Sequence, residues 1–170
     1  MLQVSVLPST LARISTARPM RFTICPCGRA DDTGWLALRR ALFPHRDEAF
    51  LRAEMDRFAA QPERHAQFLV IDEEGVSVGL AEVSLRADHV PGTRGTPVAF
   101  LEAIYVIPQA RRHGLARALV THARAWGRAQ GCSEFASDAL LDNADSHALH
   151  RALGFEETLR IVCFRQRTAG

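Results

Sequence analysis

The chain is poor in most features that would place it in a special class. Four cysteines (Cys25, Cys27, Cys132 and Cys163) are scattered at irregular spacings through 170 residues. They are too few for a disulfide framework, and Cys25-Pro-Cys27 has no second ligand pair at zinc-like spacing, so no metal is expected. Reduced thiols in a cytoplasmic protein fit best. Net charge is only +2, with a pI near 8.5, which is too mild to imply a nucleic-acid or membrane partner on charge alone. No uninterrupted apolar run approaches the roughly 20 residues that span a bilayer. No Gly-Lys-Ser/Thr closes a phosphate loop, and no three spaced glycines make a dinucleotide fingerprint. Repeats and low-complexity tracts are absent. Residues 1–20 contain arginines but no acid. They lack the cationic start, apolar stretch and small-residue cleavage site of a leader. An over-long start or a disordered extension is expected there, with the fold over 21–170.

What the chain does have is enough apolar content for one well-buried core, at 47% hydrophobic and 24% charged. "RFTIC" alternates and reads as a first strand. Asp31, Asp32 and Thr33 offer N-cap chemistry for "GWLALRRALF", which Pro44 stops, and a second helix is expected from Asp47 to Ala60. "QFLVIDEEGVSVGLAEVSLR" is a strand, a turn and a strand. "VAFLEAIYVI" is nearly all apolar, as in a central strand covered on both faces. A helix from about Arg112 to Gln130, a short strand "SEFAS", a helix from about Asn143 to Leu153 and a last strand "RIVCFRQR" complete the series. Cys132 and Cys163 are expected on strands. The order predicts a mixed α/β (α+β) sheet flanked by helices in a single domain.

The junction "YVIPQARRHGLARALVTHARAW" carries the functional signal. A strand feeding a helix start leaves the first helical N–H groups unpaired, and the macrodipole adds positive charge there. Such a place binds phosphate; Gly114 and Ala116 would let a pyrophosphate approach the backbone while Arg111 and Arg112 reach its outer oxygens. An ordinary strand-to-helix turn with solvated arginines is the competing account.

Arg111-Arg112-His113-Gly114-Leu115-Ala116 resembles the Arg/Gln-x-x-Gly-x-Gly/Ala motif of the GNAT N-acetyltransferase superfamily. "FLEAIYV", "GCSEFASD", "LDN", "ALGFEET", "EVSLRADHVPG" and "GWLALRRALFPH" are similar to the bacterial aminoglycoside 6′-N-acetyltransferases over about residues 21–167. The resemblance implies a mostly antiparallel GNAT-like sheet and acetyl-coenzyme A held by backbone amides at Arg111 to Ala116. It also implies an aminoglycoside amine as acceptor and a homodimer. Asn143 is a candidate for the pantetheine arm or merely a helix cap.

Acetyl transfer needs a neutral amine, whereas a free aliphatic amine is mostly protonated at neutral pH; a carboxylate near the amine helps bind the cation and, directly or through water, can accept its proton. Glu102, an acid inside an apolar strand, and Asp138, at the end of a short one, are the candidates, and both match carboxylates that the resemblance puts in the aminoglycoside site. Glu82, Asp88, Asp142 and Asp145 could enlarge the acidic surface, although Asp142 also suits a cap. A backbone N–H near Tyr105 or Val106, where the central strand splays from its neighbour, would hold the oxyanion. His150 stands where many GNAT enzymes carry a tyrosine, and is the candidate acid for the leaving thiolate. Trp35 is either a platform for a sugar ring or a core residue, and His89 replaces a tyrosine common in these enzymes.

Two rival accounts remain: a GNAT enzyme acetylating a protein N-terminus, a polyamine or another small amine, and a nucleic-acid module using the basic helix. Against the second, Leu115, Leu119 and Trp126 recur at core spacing. His147-x-x-His150 with Asp145 lacks a fixed third metal ligand.

Overall fold

The computed structural model describes residues 21–168; the expectation for residues 1–20 lies outside them. Five strands form one sheet in sequential order: β1 (Thr23–Cys27), β2 (His65–Ile71), β3 (Ser77–Arg86), β4 (Val98–Val106) and β5 (Glu134–Ser137). The first three pairings are antiparallel and β4–β5 is parallel; the parallel pair is joined by the crossover through α3, whereas α1 and α2 lie in the connection from β1 to its antiparallel neighbour β2. The helices are α1 (Thr33–Leu42), α2 (Glu48–Ala59), α3 (Leu115–Ala129) and α4 (Ala144–Leu153).

Three of the four helices, α1, α2 and α4, begin at a side-chain cap that the sequence supplies. Asp32 accepts from the Trp35 amide at 2.9 Å, Asp47 from Phe50 at 2.7 Å and Asn143 from Ser146 at 3.0 Å, each satisfying a donor that the first turn leaves free. The sheet separates two cores. Leu115, Leu119, Val120 and Ala123 of α3 pack on Val70, Ala81, Val83 and Ala99. On the opposite face, Trp35 and Leu38 of α1 and Leu51 and Met55 of α2 pack on Leu69 and Leu80. A Cβ at Gly127 would lie 2.5 Å from that of Ala99, so glycine is what lets α3 lie so close to β4. Among the described residues no helix is long and apolar enough to cross a membrane.

Three expectations are corrected. The helix anticipated from Arg112 begins at Leu115, because Arg112 (φ 67°) and Gly114 (φ 76°) are both left-handed and cannot continue a helical turn. The last strand does not form: residues 155–168 are irregular, and the apolar side chains of "RIVCF" have no partner strand and stand in solvent. Cys132 lies between α3 and β5 and Cys163 in that irregular tail, so neither is on a strand.

Candidate active site

Two irregularities of β4 open the sheet at its centre. The parallel ladder to β5 stops at the pair Leu101 and Ser137, whereas β4 continues to Val106. From Glu102 onward, β4 therefore has no strand beside it on that side. The register with β3 also shifts there: Glu82 faces Ala103 and Val83 faces Leu101, leaving Glu102 as the extra residue of a bulge. Polar groups close the two ends of the gap. The Ser137 hydroxyl reaches the Leu101 carbonyl at 3.1 Å, and Arg111 Nε donates to the Val106 carbonyl at 3.0 Å. The edge of Glu102 to Tyr105 between them stays open, which suits a backbone N–H aimed at a developing oxyanion.

The start of α3 borders the Arg111 end. Its first helical bond runs from Ala118 N to Gly114 O, so Leu115, Ala116 and Arg117 present N–H groups with no intrahelical acceptor. Arg112 to Gly114 likewise take no backbone acceptor among the described residues. The alternation of left-handed Arg112 and Gly114 makes the concave donor array that binds oxyanions. A Cβ at Gly114 would meet nothing within 4 Å, so the space above it is open for a ligand phosphate. The exposed His113 packs its ring edge-on to Phe22 at 5.9 Å. These residues fit a coenzyme A diphosphate, through main-chain donors with Arg111 and Arg112 alongside.

On the face covered by α1 and α2, polar side chains run along β3 beneath the bulge. Glu102 is exposed, and its carboxylate is held by Ser84 and by Arg86, whose Nη2 lies 2.9 and 3.0 Å from the two oxygens. The Arg86 guanidinium also lies on the Phe100 ring. The unexpected acid of the central strand thus has a partner and a solvent-facing side. Deeper in, Glu82 is buried and accepts from Trp35 Nε1 at 2.6 Å and Arg39 Nη1 at 2.8 Å, while Arg39 Nη2 binds Glu54. Burial pushes the Glu82 carboxyl up against the opposing pull of Arg39 and of its hydrogen bonds. Trp35 has 0% exposure and is stacked near Phe58. Neither Trp35 nor Glu82 therefore has a face left for a sugar in this conformation: they form the packed wall behind the site. Burial also holds the His65 imidazole below its ordinary range, against the pull of nearby Glu102.

Beyond the Ser137 end lies a cleft of about 520 Å³ whose lining includes Arg86, Phe100, Ser137, Asp138 and His150. Asp138 is exposed at its edge. His150 sits on α4 with Nε2 2.9 Å from Ser137 Oγ and Nδ1 2.7 Å from the Ser146 carbonyl. Asn143 is spent on capping α4, and Asp142, the other cap candidate, is exposed beside it. His89, Asp88 and Asp145 are exposed, the first two in the loop after β3. The thiols lie outside this arrangement; burial raises Cys27 to about 12, which leaves it inert.

The structure thus gathers Glu102, Asp138, His150, Tyr105, Val106 and the 111–116 turn around one gap, and keeps Trp35 and Glu82 behind its wall. Four participants escaped the sequence reading: Arg39, Ser84, Arg86 and Ser137. Ser84 and Arg86 were discoverable in principle, because they alternate with Glu82 along one strand face. Ser137 carried no such signal.

The Acetyltransferase (GNAT) family model matches residues 35–155. The chain is 46% identical over 143 residues to "Aminoglycoside N(6')-acetyltransferase type 1" of Acinetobacter genomosp. 13, covering 84% of this chain and 97% of that protein. A Serratia marcescens protein of the same name is 46% identical over 140 residues, covering 82% and 95%. Among solved structures, aminoglycoside N-acetyltransferase AAC(6')-Iy in complex with CoA superposes with a TM-score of 0.83 at 35% identity, covering 89% of this chain and 98% of that one.

Proposed function

Since the chain belongs to the GNAT acetyltransferase family, we propose that it moves the acetyl group of acetyl-coenzyme A to the 6′-amino group of aminoglycoside antibiotics, by direct attack in a ternary complex. The observation that carries this reading is the gap beside β4, with a phosphate-binding helix start at one end and carboxylates at the other. The relatives supply the acceptor: they are aminoglycoside 6′-N-acetyltransferases, and AAC(6')-Iy has been solved with the bisubstrate analogue CoA-S-monomethyl-acetylneamine in a structure that is 38% identical with a TM-score of 0.79.

Acetyl-coenzyme A supplies an activated thioester. The remaining work falls to this chain's own groups. The free N–H groups from Arg112 to Arg117 hold negative oxygens at the start of α3. Backbone N–H at Tyr105 or Val106 stabilises charge on the acetyl oxygen. Glu102 and Asp138 bind the cationic acceptor and receive the amine proton, directly or through water. In this role Glu102 exchanges part of its contact with Arg86 for an ammonium. His150 gives a proton to the departing sulfur. Asp142 and His89 border the acceptor side, where each is free to contact a large polyamine.

We assign the enzyme to the cytoplasm, in keeping with its four free cysteines, and give it a role in aminoglycoside resistance. We further propose a homodimer, supported by the uncovered apolar tail after α4.

The decisive experiment follows thiol release from acetyl-coenzyme A with kanamycin, spermidine and a peptide amine in parallel. Kanamycin should be the preferred acceptor, and Glu102→Ala or Asp138→Ala should lower its turnover by roughly 10²-fold or more if that residue is the base. Preference for spermidine or the peptide would replace the acceptor; unchanged kinetics in both variants would remove the two acids from the site.

A further inference from the structure

Ser137 is the last residue of β5 paired with β4, and its hydroxyl is shared by two groups that both lie at the mouth of the gap. One is the Leu101 carbonyl at 3.1 Å, which only accepts. The other is His150 Nε2 at 2.9 Å. The opposite ring nitrogen, Nδ1, lies 2.7 Å from the Ser146 carbonyl and 3.3 Å from the Ser146 hydroxyl. A carbonyl oxygen cannot donate, so Nδ1 carries the ring proton and Nε2 of the neutral ring is the lone-pair nitrogen, turned toward Ser137. Phe155 closes the ring's flank edge-on at 5.1 Å. A hydroxyl on a histidine whose far nitrogen is fixed by a third group is the arrangement that proton-transferring pairs share on unrelated folds.

We propose that Ser137 and His150 form a proton-relay dyad at the β4–β5 gap, in which the Ser137 hydroxyl carries protons between His150 Nε2 and the acyl site. The relay works without moving a heavy atom. When Nε2 holds a proton it donates to Ser137 Oγ, and the hydroxyl proton turns to the Leu101 carbonyl; when Nε2 has none, the hydroxyl donates to it. As the carbon–sulfur bond breaks, its electron pair goes to sulfur. The hydroxyl proton passes to that sulfur while the Nε2 proton passes to Oγ, leaving a neutral ring and an intact serine. The proton lost by the attacking ammonium, one per turnover, restores the ring by way of solvent. Charged and titratable neighbours in the cleft are Arg86 from β3, Arg124 from α3, Glu134 on β5, Asp138 after it, His147 and Arg151 on α4, and Glu156, Glu157 and Arg160 in the segment after α4. None of them is hydrogen-bonded to the His150 ring.

The relay's chemical role rests on the acyl-transfer reading above, but the dyad itself is testable without substrate. In nitrogen-15 spectra of the unliganded protein, His150 should show a protonated Nδ1 and a hydrogen-bonded Nε2. Ser137→Ala should shift the Nε2 resonance toward a free imine nitrogen and leave Nδ1 in place, and Ser137→Thr, which keeps the hydroxyl, should retain the wild-type position. In kinetics, Ser137→Ala should lower kcat by roughly tenfold or more with KM changed less than about twofold, and Ser137→Thr should restore most of it. An Nε2 resonance indifferent to Ser137→Ala, or a proton found on Nε2 of the neutral ring, overturns the dyad even in a fully active enzyme. A wild-type protein inactive toward every amine overturns the functional reading instead, and the spectra still decide the dyad.

Discussion

Arg39 is the most deeply buried charge among the described residues. Its guanidinium has 1% exposure for the residue, spans Glu82 and Glu54, and lies within 5.4 Å of the Phe58 ring centroid. Removing one member of such a set leaves its partner as an uncompensated buried charge, which costs far more than the intact set contributes. Arg39→Met should therefore lower unfolding free energy by about 3 kcal/mol or more in urea titrations. Adding Glu82→Gln should recover part of that loss, because the stranded charge is gone; additive losses would show that the two side chains are not coupled. Trp35 shares this fate. From sequence its sugar-platform and core roles were evenly balanced, and nothing local could break the tie, because what buries it is the distant Glu82 carboxylate 47 residues on. Glu102 was legible for the opposite reason: an acid in an apolar strand is anomalous on its own, whatever its partner.

At the scale of elements, function sits where regular structure fails. β4 loses β5 after Leu101, bulges at Glu102 and hands over to α3 through two left-handed residues. Gly114→Val tests the last feature. Its φ of 76° is one that a β-branched residue adopts poorly, and the new side chain would fill the open space above the helix start. Calorimetry should show coenzyme A binding at least tenfold more weakly, together with a stability loss of about 1–2 kcal/mol from the left-handed backbone. Unchanged affinity would move the diphosphate elsewhere. The strand-to-helix character of this junction was readable from apolar patterning and Pro108. The starting residue of α3 was not, since "ARRHG" has no helix breaker before Gly114 and only the backbone reveals that Arg112 leaves the helical region. "RIVCFRQR" shows the converse failure. Its β-rich composition is real, but a strand exists only beside a partner, and within this chain β5 does not provide one.

Across the whole molecule two asymmetries stand out. All 21 cationic side chains are arginine, so the described enzyme offers no lysine amine to compete with its acceptor. The second is the tail. Leu159, Ile161, Val162 and Phe164 are 55%, 61%, 77% and 93% exposed, a larger concentration of apolar surface than the exposed pair Leu140 and Leu141. Thr158 lies close against Gly92, where a Cβ would come within 2.3 Å of its hydroxyl, so the tail starts next to the cleft that holds Asp138 and His150. β5, only four residues long, is the edge of the sheet on that side. In the proposed homodimer a second copy would offer both tail and edge the partners they lack, by a two-fold exchange that covers the same surface on each subunit. Sedimentation equilibrium should then give a dimer at micromolar concentration, and Ile161→Asp with Phe164→Asp should give a monomer. Because the tail borders the cleft, the monomer should lose acceptor affinity more than coenzyme A affinity. A monomeric wild type with the tail still exposed would remove the dimer and leave that apolar surface to be explained by a different partner.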